Sequence, residues 1–149
     1  MEKIRQGDIP GVQIRTRQVL SLLPAQAWDW ITAAHLLEQW LASEVTITDK
    51  GLELSSPEDD GSGGLETANT LDKVQGRLWV LAFTRPDSGW PAPMRLTLEL
   101  APHPEGCELS VLQEGFQQLS LTVCLTIWEA YRRRWRQALS RLATATSGT

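Results

Sequence analysis

The sequence predicts an α+β domain, a layer of antiparallel strands covered by one long C-terminal helix, and three observations predict it. From Leu121 to Ala143, the residues Trp128, Tyr131, Trp135, Ala138, Leu139 and Leu142 recur at three-and-four spacing, which puts one apolar face on a long helix. Met94-Arg-Leu-Thr-Leu-Glu-Leu alternates strictly, with Met94, Leu96, Leu98 and Leu100 on one face and Arg95, Thr97 and Glu99 on the other. Such a strand has one wet face and one that must be covered, and the last helix is the only element long enough to cover it. Between them, short runs are separated by turn residues at Asp49-Lys50-Gly51, Pro57 to Gly64, Pro86 to Pro93 and Pro102 to Gly106, spacings that suit hairpins.

Taken in order, Val12 to Leu20 alternates Val12 and Ile14 against Gln13, Arg15 and Arg17, the pattern of a half-buried strand ending at Ser21. Pro24 fits the first turn of a helix, where its missing N–H costs nothing, and the helix continues to Thr32. A second short helix is expected over about Ala34 to Leu41. Strands follow at Glu44 to Thr48, Leu52 to Ser55, Leu65 to Leu71, Arg77 to Thr84, Met94 to Ala101 and Glu108 to Leu112, forming a meander. Arg77 to Thr84 is apolar on both faces, Leu78, Val80 and Ala82 opposing Trp79, Leu81 and Phe83. Its outer face should therefore meet another subunit or pack on a loop such as the one holding Trp90. Glu58-Asp-Asp-Gly-Ser-Gly-Gly64 lacks the ligand spacing of a calcium loop and the lysine and helix of a phosphate loop, and reads as a hairpin tip.

Composition bounds the function. A chain of 149 residues fits one domain, residues 1–149, with a core at about 12–142. Seven tryptophans against one tyrosine and two phenylalanines make tryptophan the residue to follow. A net charge of -4 gives no general attraction for nucleic acid or anionic membrane, so neither is an expected partner. Residues 1–7 lack the apolar stretch of a signal peptide and no run is long enough to span a bilayer, which makes the cytoplasm the expected location. Cys107 and Cys124 have neither metal nor redox spacing and read as packing residues; His35 and His103 have no ligand partner, so no metal or other cofactor is expected. No Gly-x-Ser-x-Gly elbow is present.

The segment Ala27-Trp-Asp-Trp-Ile-Thr-Ala-Ala-His-Leu-Leu-Glu-Gln-Trp-Leu41 resembles the two-short-helix region of the START-like, or SRPBCC, birch-pollen-allergen-like superfamily, in the branch named for the activators of the heat-shock protein ATPase. Pro102 to Phe116 resembles the hairpin of that branch that ends in Gly-Phe, and Tyr131 to Leu142 its final helix. The resemblance runs from about Val12 to Leu142 and implies the helix-grip fold, a curved antiparallel sheet wrapped around the long helix with a cavity between them. Three positions depart from the branch. Ala33-Ala34 replaces its Asp-Pro break, so the two short helices should be less sharply separated; Arg134 replaces a glycine before Trp135; Gln113 stands where histidine is common.

In that fold Trp40, Trp79, Phe83, Leu96, Leu98, Val111, Gln113, Trp128, Tyr131 and Trp135 are the candidate ligand-binding residues. Large rings bring flat surfaces suited to an apolar or aromatic molecule, with Tyr131 and Gln113 supplying polar contacts. Trp40, Trp128, Tyr131 and Trp135 are expected to border one cavity. Arg132, Arg133, Arg134, Arg136 and Arg141 should face away from the stripe, aided by Glu129 to Arg133 pairing, and Arg132, Arg133 and Arg136 offer a docking patch for an acidic protein. The leading function is small-molecule binding without assigned catalysis. A protein-interaction module related to the ATPase activators, with a possible homodimer, is the alternative. A cyclase- or hydratase-like enzyme is a further one, limited by the scarcity of inward acids and bases beyond Tyr131, Gln113, His35 and Asn69.

Overall fold

A computed structural model describes residues 13–57 and 64–147. The strand start at Val12, the leader reading of residues 1–7 and the acidic hairpin tip at 58–63 lie outside these residues. Seven strands form one antiparallel sheet: β1 Gln13–Leu20, β2 Glu44–Ile47, β3 Gly51–Ser56, β4 Gly64–Val74, β5 Leu78–Thr84, β6 Met94–His103 and β7 Gly106–Glu114. Among the described residues three α-helices accompany it: α1 Pro24–Thr32, α2 Ala34–Leu37 and α3 Leu121–Thr146. The sheet order β1-β7-β6-β5-β4-β3-β2 is a meander whose first strand returns to the last. With α3 held on its concave side, this is the helix-grip arrangement of an α+β fold.

Local chemistry explains the elements. Pro24 opens α1, and the Gln26 side chain reaches back to accept from the Leu23 N–H at 3.0 Å, satisfying one of the donors that a helix start leaves free. The expected blurring of the two short helices does not occur. Ala33 is extended, with φ -91 and ψ 130, and its N–H closes on Asp29 O, so a single residue breaks the helix without Asp-Pro. The second helix is shorter than expected, because after Leu37 the chain turns so that Leu41 N bonds Leu37 O and then enters β2. Gly106 has φ 141 and sits under the β1–α1 corner, where a Cβ would come within 2.3 Å of Leu20 O; only glycine turns this hairpin.

The inner sheet face carries Ile14, Leu20, Leu52, Leu54, Ala68, Trp79, Leu81, Phe83, Met94, Leu96, Leu98, Leu100, Leu109 and Val111, all buried. The outer face of β5 is not an open patch. Val80 is 4% exposed and Leu78 and Ala82 are half-buried, so this face is largely covered within one chain. Trp90 packs on Phe83, and so on the inner face. α1 also lies against β6 and β7, which shows that α3 is not the only cover of the alternating strand. A bulge between Thr70 and Asp72 lets β4 run to Val74, with Leu71 pushed into solvent and the Thr70 hydroxyl accepting the Trp79 indole N–H at 2.9 Å.

Candidate functional site

Tyr131, Trp135, Ala138, Leu139 and Leu142 face the sheet as their spacing requires, joined by Cys124, Ile127 and Ala130. The period also carries Arg134 inward. This corrects the expectation that all five arginines face solvent: Arg134 is 8% exposed, its Nη1 lies 2.5 Å from Glu66 Oε2, and Glu66 on β4 is fully buried. Tyr131 Oη donates to the same carboxylate oxygen. Arg134 also donates weakly to Leu41 O at 3.4 Å, linking the cluster to the turn after α2. A carboxylate in an apolar interior is costly unless paired and hydrogen-bonded, and here a guanidinium and a phenol both engage Oε2.

Burial, and secondarily the adjacent Glu66 charge, pushes the Tyr131 phenol well above its ordinary range, so it stays a donor at any physiological pH. Around it stand three other rings. Phe83 lies edge-on with centroids 5.7 Å away, Trp90 at 6.2 Å and Phe116 at 6.3 Å. Trp90, on the loop between β5 and β6, is half-buried and forms the outermost wall of this box. The arrangement holds a proton at the tyrosine and a carboxylate neutralised by arginine. It can orient a polar group of a guest.

Other candidates are distributed as follows. Trp135 donates its indole N–H to Gln113 Oε1 at 2.8 Å, and Gln113 Nε2 approaches Met94 Sδ at 3.4 Å; all three are buried. Leu96, Leu98 and Val111 line the inner face beside them. Trp79 lies at the far end of β5, with Lys73 Nζ 4.3 Å from its ring centroid. Trp40 is fully buried, donates to Trp30 O at 2.9 Å, and its carbonyl accepts from Arg141. Trp128 is not brought to the others. It is half-buried at the margin of α3, where its N–H donates to Gln13 O at 2.9 Å on the edge strand β1.

On the outer side of α3, Arg133 and Arg136 are exposed and Arg132 is half-buried. Glu129 accepts two bonds from Arg132, at 3.1 and 3.0 Å, and that contact, with the nearby charges of Arg133 and Arg136, holds the Glu129 carboxyl below its ordinary range. Both cysteines are free, buried thiols with pKa values raised by burial, as packing residues should be. Glu66, Phe116 and Trp90 belong to this cluster and were not among the candidate residues read from the sequence. For Glu66 the signal was present: in Leu65-Glu-Thr-Ala68 the alternation puts Glu66 on the same face as Ala68, with Leu65 exposed on the other.

The fold recurs in solved structures. A protein from Chromobacterium violaceum is 26% identical, with a TM-score of 0.70, covering 91% of this chain and 96% of its own. A protein from Mesorhizobium loti, 19% identical, has a TM-score of 0.72 over 92% of this chain and 98% of its own. The Aha1 dimer from Colwellia psychrerythraea, solved in solution, is 11% identical with a TM-score of 0.71, over 91% of this chain and 96% of its own. No curated protein matches the sequence. The family model described as activator of Hsp90 ATPase homolog 1-like protein matches residues 22–146, the two short helices, the meander from β2 to β7 and α3 alike, and the chain belongs to that family.

Proposed function

We propose that the chain acts as one cytoplasmic binding domain that takes an apolar or aromatic small molecule between the sheet and α3, without chemistry on it. One observation carries this reading: three aromatic rings, Phe83, the half-exposed Trp90 and Phe116, group around Tyr131, whose hydroxyl donates to the buried Glu66 that Arg134 pairs. Movement of Trp90 opens the box, and Phe83, Leu96, Leu98 and Val111 then face the guest, with Gln113, Trp135 and Trp79 deeper along the sheet. Trp40 borders the site beside α3, while Trp128 stands outside it at the margin of the helix. The polar cluster orients the ligand, while the scarcity of unengaged acids and bases argues for binding over turnover.

The test is titration with neutral naphthalene and 1-naphthol, followed by intrinsic tryptophan fluorescence. Saturable quenching that weakens in Trp90→Ala and Tyr131→Phe is the expected result. If no neutral apolar probe gives a saturable change, the reading fails. A protein-interaction module then moves ahead, favoured by the exposed Arg133 and Arg136 beside Arg132 as a face for an acidic partner, and by the family's namesake activity. Leu121 and Leu125, 75% and 53% exposed on the first turns of α3, are the apolar surface that a homodimer would use in that reading.

A further inference from the structure

The hydrogen bonds of the inner polar cluster run toward Glu66. Tyr131 Oη donates to Glu66 Oε2, Arg134 Nη1 donates to the same oxygen at 2.5 Å, and Arg134 Nη2 is turned to Leu41 O at 3.4 Å. We propose that the interior site takes an aromatic compound bearing a hydrogen-bond donor, a phenol or an aromatic N–H, which donates to Tyr131 Oη. This ligand class rests on the interior being a binding site, as proposed above, and narrows what it selects.

A phenol hydroxyl has one proton and two acceptor lone pairs, and a carboxylate has acceptors only. With its proton on Glu66, Tyr131 can offer a guest only a lone pair, and among the described residues no group donates to that oxygen. Burial and the Glu66 charge keep the phenol protonated, so ionisation does not alter the direction of the bond. A hydroxyl that donates to a carboxylate is polarised into a better acceptor, and guest, Tyr131 and Glu66 then form a chain in which each bond strengthens the next. A guest carbonyl or nitrile in the same place would set acceptor against acceptor, which is costly away from water.

The hydroxyl stands near the entry of the aromatic box. Glu66 lies two residues from Ala68, the cross-strand partner of Phe83, and Thr67 pairs with Thr84, the last residue of β5 before the loop that carries Trp90. Phe83 and Trp90 have ring centroids 5.7 and 6.2 Å from that of Tyr131, so a guest ring lodged against them when Trp90 moves brings a short substituent to Oη. Gln113 does not offer an equivalent contact, because its Oε1 accepts the Trp135 N–H at 2.8 Å and its Nε2 lies on Met94 Sδ at 3.4 Å.

The test is isothermal titration calorimetry at neutral pH with three compounds of similar size: 1-naphthol, which donates, 1-methylnaphthalene, which has no polar group, and 1-naphthonitrile, which only accepts. 1-Naphthol should bind about fivefold or more tightly than 1-methylnaphthalene, the size of one net hydrogen bond, and about tenfold or more tightly than 1-naphthonitrile. Equal or tighter binding of either of the other two overturns the donor requirement and leaves interior binding standing. If none of the three binds, interior binding itself fails and the ligand class falls with it. Tyr131 is the only tyrosine of the chain, so ¹³Cζ-labelled tyrosine gives a single NMR signal that reads the contact directly. That signal should move saturably with 1-naphthol and by less with 1-methylnaphthalene; an equal shift with both, or none with 1-naphthol, overturns the bond to Oη. Glu66→Gln replaces an acceptor by an amide that can also donate to Oη, and should narrow the preference for 1-naphthol over 1-naphthonitrile about fivefold. An unchanged preference in the folded variant overturns the role of Glu66, and if the variant does not fold, the three compounds and the Tyr131 signal in the unaltered chain decide.

Discussion

Arg134 on α3 and Glu66 on β4 meet inside the grip, Nη1 to Oε2 at 2.5 Å, with Tyr131 Oη on the same oxygen. The helix and the sheet are thereby joined by charge as well as by apolar contact. Because the pair is desolvated, removal of one partner strands the other. Arg134→Ala and Glu66→Ala should each cost about 3–5 kcal/mol in urea unfolding, while Glu66→Leu with Arg134→Met should recover most of that loss. Additive losses in the double variant would show that the pair does not act as a unit.

Tyr131 is the only tyrosine of the chain, which makes its ionisation directly visible. Its folded pKa is raised by burial and by Glu66, so the native state keeps a proton that the unfolded chain releases near the ordinary value of about 10. The native state then binds more protons than the unfolded one. The contribution is fully present below about pH 10, and stability should fall above it by roughly 1.4 kcal/mol per pH unit. Tyrosinate absorbance at 295 nm should therefore rise together with unfolding rather than before it. Tyr131→Phe should lack this part of the alkaline slope; an early absorbance step in folded protein would refute the assignment.

Glycine positions separate strain from steric exclusion. Gly76 has φ 77 with nothing within 4 Å of where a Cβ would stand, whereas Gly106 combines φ 141 with backbone atoms of Leu20 and Leu22 at 2.3 and 2.8 Å. Gly76→Ala should cost about 1–2 kcal/mol, the left-handed penalty alone. Gly106→Ala must also move the β1–α1 corner, and should cost more than that and lower expression of folded protein. Thermal melting of the two variants side by side checks the order.

Much of this fold was legible before the structure. Strict alternation in Met94 to Leu100 and the three-and-four stripe of α3 are periodic signals, and periodic signals survive tertiary packing. The second helix and the bulge in β4 were less visible, because each is decided by a neighbour: the turn at Leu41 feeding β2, and the Thr70 hydroxyl meeting Trp79. The site was legible in part. Tyr131 announced itself by spacing, and by the same count Arg134 stands three residues on, within the stripe. An arginine in an apolar stripe demands a carboxylate across from it, and the inward phase of Glu66 beside Ala68 was available to supply one. Which strand faces which turn of the helix is fixed by three-dimensional register, and no local pattern carries it.

Trp135 and Gln113 make the final test, since they form a polar contact fully inside the core. Trp135 is 4% exposed and donates to Gln113 Oε1 at 2.8 Å. Trp135→Ala removes the ring and leaves the amide oxygen without its donor, so both terms add: about 3–5 kcal/mol for the cavity and about 1–3 kcal/mol for the stranded acceptor. Trp135→Phe keeps most of the volume and isolates the second term. Gln113→Met removes the acceptor with little change of volume, leaving the indole N–H stranded instead. If the bond is what holds Gln113 in place, Trp135→Phe with Gln113→Met should be more stable than the sum of the single losses predicts, by about 1 kcal/mol or more, in chemical unfolding. Strict additivity would mean that Gln113 is satisfied elsewhere in the folded protein, and would free its amide for the guest that the interior site is proposed to hold.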